Sequence, residues 1–304
     1  MVSNPMISFC IPTNGIIEWV IPVLDRLYET EVDCSLWEVV VTDNGHDYEF
    51  QKVMENYQFG KENFTYKKTS VFLFQNQIEA LRLAKGEYLK FLNHRSILEK
   101  DAVEWFVDII RQNLVDKPVM FFSNGALELK EEEKSFMNFD QFVAGMREIA
   151  SWTTGVGVWK SDFNEIPIDW SYNNISPHSD VLFWVKENRK YKIFDRVWSR
   201  DIDLSQKKKG QYDLYKAFCV EEPLITLNLY IDGYISKNTL KGVFRSYEKR
   251  IAEFYSLFNI IREEASYDTT NFDEYADIFL SKKRIKLMAY IYSIKLFVRK
   301  MLLK

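Results

Sequence analysis

Three short polar sequences each close a run of apolar residues: Pro12-Thr13-Asn14-Gly15 after ISFCI, Asp43-Asn44-Gly45 after EVVVT, and Asn93-His94-Arg95 after EYLKFL. A carboxylate such as Asp43 can accept hydrogen bonds from a ribose hydroxyl or a base N–H, and a guanidinium such as Arg95 makes charge-assisted bonds to phosphate oxygens. Taken singly, each has an ordinary reading; Asp43-Asn44-Gly45 has the composition of a turn. Their joint occurrence at strand ends is more informative, because open parallel sheets bind ligands outside the carboxyl ends of their strands, near the point where strand order reverses. His46, His94 and His178, the three histidines, lie in or beside such polar segments. No pair has a short ligand spacing, so a metal cluster is not the expected reading.

The elements that must position these residues are legible as an alternation. MISFCIP, WEVVVTDN, FTYKKT, EYLKFL and PVMFFSN read as strands, and IIEWVIPVLDRLYE, residues 48–57, 76–84 and EKDAVEWFVDIIRQN as helices. Strands separated by helices of this length imply right-handed crossovers and a mostly parallel sheet. Past residue 125 the rhythm weakens. FDQFVAGMREIA and PHSDVLFWVKENR have helical patterns, TGVGVWK and YKIFD strand-like ones, and residues 203–213 the composition of an exposed loop. Apolar residues from Leu240 to Ile261 form one helical stripe, so a helical appendage is expected after an α/β unit. The length of 304 residues allows both.

At this point the order resembles a family 2 glycosyltransferase with the GT-A fold. The residues that carry the resemblance are ISFCIPTNG, EVVVTDNG, NQIEALRLAKGEYLKFL and NHRSIL, over residues 6–125, and more loosely TTGVGVWKS within 151–200. Bacterial O-antigen and capsule sugar transferases such as abequosyltransferases are similar in length and layout. The resemblance implies an α/β, Rossmann-like GT-A sheet flanked by helices over residues 1–235, with a nucleotide-binding half (1–125) and an acceptor half (126–235); the helical region expected over 236–304 rests on its apolar period, since the last eighty residues have no family-wide counterpart. The same resemblance implies inverting transfer of a sugar from a nucleotide-sugar donor to a saccharide or lipid-linked acceptor. Pro12, Thr13 and Asn14 would border the nucleotide, Asp43 would bind the base, and Asn76 and Asn93 would lie near the nucleoside.

The family's Asp-x-Asp motif holds Mn2+ or Mg2+ against the diphosphate, since hard cations prefer carboxylate oxygens. Asn93, His94 and Arg95 stand there instead, and Arg95 repels a divalent ion. No metal cofactor is expected at this position, although a carboxylate from elsewhere, such as Asp47 or Asp101, leaves a route to one. Three readings of Arg95 stay open: with His94 it stabilises the diphosphate, or catalysis has been lost, or it pairs with a carboxylate such as Glu99. The resemblance also implies a general base, for which Asp180 in Pro177-His178-Ser179-Asp180 is the candidate, with His178 orienting or replacing it. The ordinary alternative is a helix cap. Trp152, Trp159 and Trp170 could stack on acceptor sugars or pack in the core, and Lys207-Lys208-Lys209 could be a diphosphate lid or a solvated loop.

Composition narrows the classes further. Three scattered cysteines and an N-terminus without a basic and apolar leader argue for a reducing cytoplasmic location. Residues 281–304 carry eight Lys or Arg and no acid, so with a net charge of −4 the first 280 residues sum to −12. Nucleic acid is not an expected partner of so acidic a body. The basic, apolar tail suits a helix on an anionic membrane surface, which would place the protein peripherally at the inner face of the membrane; a docking or dimerisation helix is the alternative. A sugar nucleotidyltransferase is disfavoured, because IPTNGII lacks the glycine-rich basic loop that a triphosphate requires. A non-catalytic GT-A-like glycan- or partner-binding domain remains the rival from another class.

Overall fold

The computed structural model describes residues 4–202, 212–265 and 267–302. The chain opens with β1 (Ile7–Thr13), α1 (Ile17–Tyr28), β2 (Trp37–Asp43), α2 (Tyr48–Gln58), β3 (Phe64–Lys68), α3 (Asn76–Leu83) and β4 (Tyr88–Phe91). It continues through β5 (Ser96–Leu98), α4 (Ala102–Asn113), β6 (Val119–Phe122), β7 (Glu133–Phe136), α5 (Phe139–Met146), β8 (Gly157–Trp159), α6 (Lys160–Phe163), α7 (Pro177–Leu182), β9 (Tyr191–Phe194) and β10 (Ser199–Asp201). Helical segments follow: α8 (Leu214–Lys216), α9 (Glu222–Ile231), α10 (Lys237–Tyr255), α11 (Phe272–Tyr275) and α12 (Lys282–Leu302).

The main sheet has the order β3-β2-β1-β4-β8, parallel except for β8, which runs antiparallel on β4. Nearly every side chain of β1 and β2 is buried, as strands covered by helices on both faces require. Apolar stripes explain the cover. Val20, Val23, Leu24 and Leu27 turn one face of α1 to the core, and Val103, Phe106, Val107 and Ile110 do so for α4.

Two features of this sheet build the site. First, Thr13 lies opposite Asp43 and Asp43 opposite Lys68, so β1, β2 and β3 all end on one line. Second, the winding runs outward from β1 to β3 and then returns to β4, so the order reverses between β1 and β4. The Cys10 carbonyl still accepts from the Leu92 N–H at 2.9 Å. By strand alternation Pro12 faces the same side, but it has no N–H to donate, so the ladder cannot continue past Leu92.

Lys90, in β4, is enclosed. Its Nζ donates to the carbonyls of Phe91 (3.0 Å) and Thr154 and sits 4.7 Å from the centre of the Trp198 ring. Burial pushes its pKa well below the usual lysine value.

Several elements depart from the sequence pattern. β6 joins a separate sheet, β6-β9-β7, in place of the main one. The helix expected over PHSDVLFWVKENR ends at Leu182, and Asn188 adopts a left-handed φ of 55° as the chain turns toward β9. The long C-terminal stripe is α10 followed by a π-helical turn, Ser256–Ile260.

The chain divides into two compact units, Met1–Phe142 with Ile149–Asp203, and Val143–Glu148 with Leu204–Lys304. The sequence rhythm puts the boundary near 235; the structure groups α8 and α9 with the C-terminal helices. In that unit Val243, Tyr247 and Ile251, each four apart on α10, are buried, and Ser236 caps the helix by accepting from the Thr239 N–H.

Candidate functional site

At the end of β2, Asp43 is fully enclosed. One carboxylate oxygen accepts from the Gly45 N–H at 2.7 Å and the other from the Tyr66 hydroxyl at 3.2 Å, with Lys68 Nζ 4.0 Å away. Burial, and then the Asp43 charge, raises the Tyr66 pKa, which keeps the phenol protonated as a donor. The two strand-end loops meet closely here: a Cβ at Gly45 would lie 2.0 Å from the Asn14 carbonyl oxygen. Asp43 therefore holds its own loop, and direct contact with a base requires the 14–15 and 44–45 segments to part. Asn14 is exposed and Pro12 half-buried.

Asn76, at the start of α3, is 2% exposed. Its amide donates to the Thr13 carbonyl at 3.1 Å and the Thr42 carbonyl at 2.8 Å, while its oxygen accepts from the Thr69 hydroxyl at 2.8 Å. Both N–H groups are thus spent on protein. Asn76 is therefore a strut between the ends of β1 and β2.

Beyond the ends of β1 and β4, Thr13 Oγ1 and His94 Nδ1 lie 2.8 Å apart. The His94 ring meets Trp19 edge-on at 5.0 Å. Burial first, and the Arg95 charge second, push its pKa down to about 3, so the ring is neutral near pH 7 and supplies no positive charge to a diphosphate. The Asn93 side chain accepts from the Arg95 N–H at 3.2 Å and fixes the turn.

Arg95 pairs with Asp201 at 3.1 Å rather than with Glu99. Ser96 donates to the other oxygen of the same carboxylate at 2.6 Å. The pairing follows from the antiparallel register of β5 and β10, which sets Ser96 opposite Asp201. Asp201 is the site residue that sequence reasoning missed. Its signal is a long-range strand pairing across 105 residues, which no local pattern reports.

A divalent cation does not fit the donor set at 93–95. An amide, a neutral imidazole engaged with Thr13 and a guanidinium are not the oxygen-rich anionic ligands that Mn2+ or Mg2+ requires. Asp47 caps α2, accepting from the N–H groups of Glu49 and Phe50, and Asp101 pairs with Arg196. Among the described residues no three His, Cys, Asp or Glu side chains form a group able to hold a metal.

Asp180, on α7, accepts from the Asn173 N–H at 2.6 Å, so it anchors the preceding loop and does not cap its own helix. Burial raises its pKa. His178 does not orient it. The Nε2 of His178 donates to the Ser151 carbonyl at 2.9 Å, and Nδ1 faces Gln77 at 3.1 Å and the Thr153 hydroxyl at 3.2 Å. Burial holds that ring down to about 4, so it too is neutral and is occupied structurally. Of the three tryptophans, Trp159 is buried and donates to the Pro118 carbonyl, Trp152 packs near Trp198, and Trp170 is 43% exposed with its ring edge-on to Trp184. Lys207, Lys208 and Lys209 lie outside the described residues.

The sequence matches no known family profile and no curated protein. Solved structures do match. The S. aureus TarS fragment 1–349 in complex with UDP is 16% identical, with a TM-score of 0.57, over 85% of this chain and 75% of that one. A longer TarS structure is 15% identical with a TM-score of 0.53, and the alignment covers 83% of this chain but only 43% of TarS. A mannosyltransferase, PcManGT from Pyrobaculum calidifontis in complex with GDP-Man and Mn2+, is 11% identical with a TM-score of 0.51, over 96% of this chain and 88% of that one. The chain has the GT-A fold of the glycosyltransferases, as the strand order and sequence resemblance anticipate.

Proposed function

We propose that this chain is an inverting glycosyltransferase that moves a sugar from a nucleotide-sugar donor to a saccharide acceptor without a metal at the 93–95 position. The observation that carries the reading is Arg95: a guanidinium on the turn that follows β4, next to the reversal of strand order outside which ligands of such sheets bind. On donor binding it exchanges Asp201 for the diphosphate oxygens. The acceptor hydroxyl oxygen attacks the anomeric carbon, and the bond from that carbon to the phosphate oxygen breaks. The nucleoside diphosphate leaves with the electron pair while Arg95 stabilises its developing charge.

Asp180 is the general base in this reading. Its desolvated carboxylate is a stronger base than an exposed one, which suits removal of the acceptor hydroxyl proton. Trp170 stands three residues before Asn173, whose N–H bonds Asp180, and its exposed ring offers a face on which an acceptor sugar stacks. Assembly of a bacterial surface polysaccharide on a lipid carrier is the setting we infer. The enclosure of Asp43 favours one rival, a non-catalytic domain of the same fold.

Thermal stabilisation by UDP, GDP, dTDP, CDP and CMP, each with Mn2+ and with EDTA, tests the reading, since a ligand of the native state raises the melting temperature. One nucleotide should stabilise in EDTA, and Arg95→Met should abolish the shift. Stabilisation only with Mn2+ overturns charge replacement, and no response to any nucleotide favours the rival. With a donor in hand, Asp180→Asn should remove turnover, by at least about a hundredfold, while nucleotide affinity persists.

A further inference from the structure

Helix α12 has two apolar faces. On the inner one, Ile285 and Ala289 are fully buried, and the Ser293 hydroxyl meets that of Ser256 at 2.6 Å, so positions four apart seat the helix on its own unit. On the opposite side Leu287, Tyr290, Ile291, Ile294, Phe297 and Met301 are 47–67% exposed. Leu287, Tyr290, Ile294, Phe297 and Met301 follow in steps of three and four with Ile291 beside them, so the row keeps to one line, which extends about 21 Å at about 1.5 Å per residue. Isolated exposed apolar residues are ordinary on a protein surface, but a continuous row of this length marks an interaction surface.

Charge identifies what covers it. Arg284 is bonded to Glu248, and Lys282 and Lys286 to Asp273, within the unit. Lys283 and Lys295 are exposed, four residues from Leu287 and Ile291 and therefore beside the row. Steps of three and four are also those of a coiled-coil seam, so a second copy is the serious competitor. Pairing two copies along this row would, however, bring together two acid-free segments, each with Lys283 and Lys295 beside its row. An anionic lipid surface instead neutralises the cations and takes up the apolar row. No described helix is long and apolar enough to cross a membrane, so α12 would lie in its plane.

We propose that α12 is an in-plane anchor, held to the protein by its inner face and ready to sink its outer row into the headgroup boundary of an anionic bilayer. The sequence alone offered a lipid-surface helix or a docking helix as alternatives; the two faces make them compatible. The anchor stands whether or not the donor reading holds.

Co-sedimentation of the full chain with phosphatidylcholine vesicles, and with vesicles containing about one-third phosphatidylglycerol, tests it. Binding is expected to the anionic vesicles and to weaken with added salt. Ile294→Glu with Phe297→Glu should reduce it at least about tenfold at an unchanged melting temperature, because both side chains are exposed. Should that variant unfold, Lys283→Glu with Lys295→Glu should give the same loss. Absence of binding to anionic vesicles overturns the proposal, as do equal binding to the two vesicle types and undiminished binding by the folded variants. A concentration-dependent dimer without vesicle binding, measured by ultracentrifugation, assigns the row to a second copy and also overturns it.

Discussion

Replacing Asn76 by alanine should destabilise the unit that holds the main sheet by about 3 kcal/mol. The figure rests on three hydrogen bonds at 2.8–3.1 Å made by a side chain that is 2% exposed. Each contributes about 1 kcal/mol net, and partners left buried without a bond cost more. The Thr13 carbonyl keeps its bond from the Asn44 N–H and the Thr69 hydroxyl can still donate to the Asp43 carbonyl at 3.3 Å, so the penalty falls mainly on the Thr42 carbonyl. About 3 kcal/mol is roughly a 150-fold change in the folding equilibrium. Urea unfolding followed by tryptophan fluorescence reads it, and nucleotide-induced stabilisation should weaken in parallel, because the ends of β1 and β2 lose their tie. Asn76→Asp sharpens the test. It keeps the shape but turns a carboxylate toward two carbonyl oxygens, so it should cost at least as much as alanine. A loss below about 1 kcal/mol for both variants would refute the strut.

Acid should destabilise the protein through His94 and His178. The folded pKa values of His94 and His178 lie at about 3 and about 4, below the ordinary 6.5, so the unfolded chain binds more protons between those limits. Stability from this source is complete above pH 6.5 and lost as pH falls, at up to about 2.7 kcal/mol per pH unit for two protons. His178→Asn, compared with the parent by urea unfolding at pH 7 and pH 5, should halve that slope; an unchanged slope would show that His178 is charged in the folded state. Gly45→Ala should cost about 1–3 kcal/mol in thermal unfolding, because the new methyl would collide with backbone 2.0 Å away. Gly242→Ala, a helical position with nothing within 4 Å of the added carbon, should raise stability by up to about 1 kcal/mol, and the opposite ranking would refute the close approach of the two loops.

The strand ends at Thr13, Asp43 and Asn93 were legible because each apolar run stops at residues with turn chemistry, and the helices between them declare themselves by period. The partners of those residues were not legible. Nothing local reveals that Asp201 faces Arg95, since that depends on how two three-residue strands pair. Asn76 and His178 have the types that bind ligands, but their polar atoms satisfy neighbouring backbone, a distinction only burial and distance can draw. Nothing local reveals that Lys90 is enclosed among rings and carbonyls, since that enclosure is built by tertiary packing.

The shared finishing line of β1, β2 and β3 has a consequence for how such a chain can diverge. Substitution within these strands changes which apolar group fills the core and leaves Thr13, Asp43 and Lys68 level. Inserting or deleting one residue does something different: it turns every side chain of that strand to the other face and displaces its end by about 3.3 Å relative to its neighbours. Length within the strands is therefore held far more tightly than residue identity, and changes in length are confined to the connecting segments. A lineage under that constraint can lose nearly all detectable sequence kinship while its strand ends stay level, which fits a chain that shares the GT-A fold at only 11–16% identity.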